Sequence, residues 1–150
     1  RPYARQVARG GLASLEQLPP AEKALLAPLP LKVDTEWPGY KKMAAMFGAD
    51  ASAHGGGATP IIQAQALKDA TMAHFIRQSL TSGQTVLHIN GSYHSDNHDG
   101  IVGYLRQNAP ALRVKTISVV SQASLKQLAK DNQKLADFIV VIPEDMSKTY

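Results

Sequence analysis

The densest cluster of reactive side chains in this chain is Asn90-Gly91-Ser92-Tyr93-His94-Ser95-Asp96-Asn97-His98-Asp99. It holds a phenol, two imidazoles and two carboxylates. An imidazole can bind a metal or carry protons, and a phenol can hold iron. Gly91 has no side chain to keep a ligand from the backbone. His94 and His98 are four residues apart, the spacing that puts two imidazoles on one helix face in some zinc sites. However, the glutamate of the H-E-x-x-H pattern is missing, and His94 precedes the predicted helix cap. Each residue also has a plain structural reading. Asp96, Asn97 and Asp99 are typical turn and cap residues, Tyr93 can pack against a sheet edge, and His88 reads as a hydrogen-bonded core histidine inside a strand.

Other chemistry finds little support. The chain has no cysteine, which removes disulfides, thiolate metal sites and cysteine nucleophiles. His54-Gly55-Gly56-Gly57 imitates a lipase oxyanion loop, yet no G-x-S-x-G elbow occurs, so the glycines read as a hinge. Neither G-x-G-x-x-G nor G-x-x-x-x-G-K-[ST] is present, which argues against dinucleotide and nucleoside triphosphate binding. Asn90-Gly91-Ser92 fits a glycosylation sequon, a pattern short enough to arise by chance.

The elements that must position the cluster are a strand before it and a helix after it. Gln84–Asn90 is predicted as a strand through Val86, Leu87 and Ile89. Asp96 is expected to cap the next helix, with Asp99 three residues on as in a capping box. That helix carries Ile101, Val102, Tyr104 and Leu105 and ends at Asn108–Pro110. Leu112–Val120 follows as a strand, Ser121 caps a helix through Leu125, Leu128 and Ala129, and Asp137–Ile142 forms a third strand. The continuous apolar run of that third strand fits a parallel sheet covered on both faces.

Upstream, Pro2–Leu18 reads as a helix with a stripe of Val7, Leu12, Leu15 and Leu18, stopped by Pro19–Pro20. Gly10 and Gly11 each cost ~1 kcal/mol there against alanine, which predicts close packing or a break. Ala21–Leu26 adds a short helical turn, and Pro28, Pro30 and Pro38 hold a connector. Tyr40–Phe47 is a short helix closed by Gly48, and residues 49–58 form a glycine-centred loop. Thr59–Pro60 opens the longest helix, which runs to about Leu80 with Ile62, Leu67, Met72, Phe75, Ile76 and Leu80 on its apolar side.

This order predicts an α/β fold, a mostly parallel β-sheet flanked by helices. Ligands then bind outside the carboxyl ends of the strands, where Gly91–Asp99 lies. Three strands are few for such a sheet. The chain also opens with Arg1-Pro2, without an initiator methionine. Both points are read here as a partial domain, residues 1–150 being its C-terminal portion and the N-terminal half lying elsewhere.

The composition, 44% hydrophobic and 19% charged, is that of a folded domain. The net charge of +4 comes from sixteen Lys and Arg spread along the chain. No basic cluster interleaved with aromatics appears, so no nucleic-acid partner is expected. Arg1, Arg5 and Arg9 read as a solvated helix face. The longest buried-looking run, Phe138–Ile142, is far short of the roughly 20 residues of a membrane helix.

Four stretches together resemble one family. Arg1-Pro2-Tyr3-Ala4-Arg5-Gln6-Val7-Ala8-Arg9-Gly10-Gly11-Leu12 resembles its mid-chain helix, and Pro28-Leu29-Pro30 leads to Tyr40 as in relatives. Gln63 to Ala73 carries the pattern Q-x-x-x-D-x-x-M-A, and Val86 to His94 is followed by Asp99-Gly100-Ile101 and Tyr104-Leu105. The chain is similar to the ChaN-like haem-binding proteins, envelope lipoproteins related to erythromycin-esterase-like and TraB/Tiki-type proteins. Many relatives place a small residue before the histidine, where this chain has Tyr93.

The resemblance implies a periplasmic or membrane-anchored protein of haem and iron acquisition. It would bind and pass on haem without catalysis, as a homodimer sharing the cofactor, its lipid anchor and N-terminal half lying outside this segment. Carry-over falls on Gly91 and His94. A tyrosine is implied on the iron, either Tyr93 or Tyr40, with His94 hydrogen-bonding it or facing the opposite side. An apolar pocket with Lys or Arg at the propionates completes the expectation. Two alternatives are a hydrolase of the TraB/Tiki type, with Gly91-x-x-His94 giving one ligand to a divalent metal, and an α/β interaction module with no site.

Overall fold

A computed structural model describes residues 1–48 and 58–147. The predicted glycine loop, with His54-Gly55-Gly56-Gly57, lies outside the described residues. The first helix, α1 (Pro2–Gly10), starts on a proline whose fixed φ suits the first turn. It stops earlier than predicted because Gly11 takes φ 68°. That conformation turns the chain into a 3-10 turn, Leu12–Leu15. A side chain at Gly11 would also meet Gln63 Oε1 at 3.0 Å, so both the break and the close packing expected at this pair are present.

A short α2 (Pro20–Lys23) and the proline connector lead to α3 (Pro38–Gly48) and then α4 (Ala58–Ser79). The long helix α4 is the axis of the fold. It is packed by α1, by α3 and by α5 (Ile101–Asn108). Buried Ala64, Ala66, Ala70 and Ala73 let these neighbours approach closely. Two clusters form around it. Val7, Leu15, Leu26 and Leu67 fill one side, and Tyr40, Met43, Ile62, Ile101, Tyr104 and Leu105 fill the other. Full burial of a side chain such as Val7 or Leu15 contributes ~1.5–3 kcal/mol. Trp37 ties α3 to α5, with its ring 5.4 Å from that of Tyr40 and 5.1 Å from that of Tyr104. Gly103 makes room for it, because a Cβ there would sit 2.4 Å from Trp37 Cη2.

The predicted α/β sheet flanked by helices is not what forms. Helices dominate, and the described sheet has two parallel strands, β1 (Ile117–Gln122) and β2 (Phe138–Pro143), with Ile117 opposite Phe138. Gln84–Asn90 joins no ladder. It has no regular secondary structure, Leu87 is 82% and Ile89 86% accessible, and His88 is exposed as well rather than in a core. A strand's apolar residues demand a partner, and among the described residues none pairs with this one. The expected helix after Ser121 is also absent. The Gln122 side chain instead bonds backbone of Ser124, Gln127 and Ala129 across an irregular turn, which competes with helical bonding.

Candidate functional site

Two residues one helical turn apart on α4 reach the loop that carries the reactive cluster. Gln65 and Asp69 are both buried, and Asp69 has no solvent exposure. A carboxylate in that position needs donors at both oxygens. Tyr40 supplies one from α3, its hydroxyl donating to Oδ2 at 2.8 Å. His94 supplies the other through Nδ1, in close contact with Oδ1. Gln65 Nε2 lies 2.9 Å from the same nitrogen and 3.5 Å from both Asp69 Oδ1 and the Tyr93 carbonyl. His94 Nδ1 therefore faces both the Asp69 carboxylate, an acceptor, and the Gln65 amide, a donor. With the imidazole hydrogen on Nδ1 toward the carboxylate, Nε2 is the nitrogen with a free lone pair.

The loop is shaped to make this contact. Ser92–His94 and Asp96–His98 form two 3-10 turns, and Asn97 and His98 each have φ 60°. Asn97 N–H bonds the Leu135 carbonyl at 2.8 Å, anchoring the loop to the segment before β2. Asp96 does not cap a helix; it accepts the Ser118 hydroxyl of β1 at 2.9 Å. Asp99 likewise accepts the Gly39 N–H at 2.8 Å, and α5 begins at Gly100 with φ 54° instead. Any side chain at Gly100 would press on the His94 carbonyl, 2.5 Å from an added Cβ.

Burial governs the electrostatics of the inner groups. It raises the Asp69 pKa, opposed by the hydrogen bonds from His94 and Tyr40. Burial, followed by the charge of Asp69, pushes the Tyr40 phenol well above its ordinary value. Tyr104 is pushed up to about 12, again chiefly by burial. Asp96 and Asp99 are also raised by burial.

In front of His94 lies an open cleft of about 360 Å³, walled by Met43, Met46, Phe47, Gln65, Tyr93 and His94, with Gly91 at its edge. The Tyr93 ring is half exposed, and its hydroxyl donates to Met46 Sδ at 3.3 Å. Among the described residues no Lys or Arg lines this wall, contrary to the expected propionate partners. Gly91, Tyr93 and His94 therefore meet at one cleft, while Tyr40 stands behind His94 as a buried partner of Asp69.

His98 goes elsewhere. Its Nε2 is 3.2 Å from Asp137 Oδ2, in a second cluster with Thr116 and Lys115. The H-x-x-x-H spacing thus does not bring the two imidazoles together. Among the described residues no three His, Asp or Glu side chains converge as metal ligands. Asp69 and Gln65 were not singled out from the sequence as site residues. The available signal was an acid four residues after an amide, set among apolar residues at core spacing on the longest helix.

The residues present fit an iron porphyrin in kind, with a phenol and a carboxylate-backed imidazole at one apolar cleft. A family model described as "Haem-binding uptake, Tiki superfamily, ChaN" matches residues 1–105. No curated protein and no solved structure matches the chain. The match opens at the first residue and covers the helical part with the cleft. The chain belongs to the ChaN family of haem-binding uptake proteins in the Tiki superfamily.

Proposed function

We propose that this protein binds ferric haem at the Tyr93–His94 cleft and serves haem uptake in the bacterial envelope, holding and passing on the cofactor without catalysis. One observation carries the proposal: Tyr93 and His94 share a cleft with apolar Met43, Met46 and Phe47, beside Gln65, Gly91 and Ser92. When bound, haem would supply an iron that tyrosine and histidine can hold. Tyr93 would hold ferric iron through its phenol oxygen and His94 through Nε2, while the two methionines and the phenylalanine would pack against the macrocycle. On this reading two copies would share the haem as a homodimer. No described helix is long and apolar enough to cross a membrane.

A divalent-metal hydrolase has less support, because the described residues bring His94 to the cleft without two further ligands. Titrating ferric haem into the purified protein tests the proposal by the growth of a saturable Soret band. Tyr93→Phe is expected to weaken binding about tenfold and change the spectrum, while His98→Ala leaves both within about twofold. No saturable band with the unaltered chain sinks the reading.

A further inference from the structure

We infer that Asp69, assisted by Gln65 and Tyr40, is a positioning residue that fixes the His94 ring with Nδ1 toward the core and Nε2 toward the cleft. The inference rests on the reading of His94 as a haem-facing residue, but its observations are independent of any ligand. Asp69 has no solvent exposure, sits on the long central helix, and has both oxygens engaged. The Tyr40 hydroxyl at 2.8 Å holds Oδ2, so the carboxylate cannot rotate away from the imidazole. Gln65 Nε2 lies 2.9 Å from His94 Nδ1 and 3.5 Å from both Oδ1 and the Tyr93 carbonyl, so it braces the ring and the backbone on its N-terminal side. On the other side, Gly100 lets the His94 carbonyl approach the start of α5.

A neutral imidazole carries one N–H, and the group facing each nitrogen decides which one bears it. A carboxylate accepts only, so it calls for the hydrogen on Nδ1 and leaves the Nε2 lone pair for a metal or an incoming proton. An amide in the same place inverts this logic. With the Tyr40 hydroxyl still donating to the side-chain oxygen, Asn at 69 would turn its NH₂ toward Nδ1 and move the imidazole hydrogen to Nε2. The ring would stay in place and lose its donor atom toward the cleft, the wrong-tautomer outcome known from catalytic triads.

The tautomer can be read without haem, from two-bond ¹H–¹⁵N correlations of the histidine rings in the complete chain, with His94→Gln assigning the signal. The expected result is Nδ1–H in the unaltered protein and Nε2–H in Asp69→Asn. Haem titration should then show a fall of about ten- to hundredfold in affinity for Asp69→Asn, with unchanged far-UV circular dichroism. An Nε2–H tautomer in the unaltered protein overturns the inference, even if Asp69→Asn fails to fold. So does a folded Asp69→Asn that keeps the Nδ1–H form. Absence of haem binding by the unaltered chain would instead sink the functional proposal, while the tautomer measurement still decides the role of Asp69.

Discussion

A carboxylate with no solvent exposure is expensive unless every oxygen finds a donor, and Asp69 shows how closely that condition is met. Tyr40 is half of the solution. Its ring belongs to the core while its hydroxyl reaches Asp69 Oδ2 at 2.8 Å. Tyr40→Phe keeps the packing and removes only that donor, leaving a buried oxygen unsatisfied. The expected cost is ~1–3 kcal/mol, read as a lower urea midpoint at an unchanged slope. An unchanged midpoint would mean that Asp69 is satisfied in some other way. The sequence placed Tyr40 among the candidate iron donors, because a tyrosine at the start of a helix carries no sign of the depth at which its hydroxyl will lie. Tyr93 and His94, adjacent in one loop, were legible. Asp69 was not, because its partners come from positions 29 and 25 residues away and only the fold joins them.

At the scale of elements, periodicity found what local physics dictates. The longest helix and α3 stand near their predicted bounds, and α5 ends where expected but starts later, because apolar spacing and the Thr59–Pro60 and Gly48 signals are local. The loop between α4 and α5 was read too simply. Asp96 and Asp99 look like helix caps in sequence, yet each spends its carboxylate on another element, Ser118 and Gly39 respectively. Gly100 then has to start α5 in a conformation that other residues rarely take. It can be separated from Gly83, which has φ 79° but nothing within 4 Å of an added Cβ. Both glycines carry a backbone penalty on substitution by alanine, of ~1 kcal/mol or more. Only Gly100→Ala adds a clash with the His94 carbonyl. Gly100→Ala is therefore expected to lower the thermal midpoint clearly further than Gly83→Ala, and to weaken haem binding where Gly83→Ala does not. Equal shifts in the two melting curves would remove crowding at Gly100 from the account.

For the whole molecule, the sequence misjudged the sheet because strand propensity does not say which strands will meet. Val86, Leu87 and Ile89 have the right residue types and still pair with nothing described, while Ile117, Val119, Phe138 and Val140 leave one face of the two-stranded sheet exposed. With so little burial, a polar network joins the residues that lead into β1 and β2. Asp137 is its hub. It accepts from Lys115 Nζ at 2.9 Å, Thr116 N–H at 2.9 Å and the Thr116 hydroxyl at 3.0 Å, and it lies 3.2 Å from His98 of the cleft loop. Lys115, followed by the Thr116 N–H, holds its carboxyl well below the ordinary carboxylate value. A carboxylate whose pKa is depressed by folding stabilises the folded state fully above its unfolded value, ~4, and loses that contribution as pH falls through the lower folded value. Asp69, Asp96 and Asp99 have pKa values raised by burial, so their linkage has the opposite sign. The difference in melting temperature between the unaltered protein and Asp137→Asn cancels those three. It should be constant from pH 7 to about 5 and shrink steadily as pH falls below ~4. A difference that stays level down to pH 2 would show that the charge of Asp137 does not hold together the residues that lead into β1 and β2.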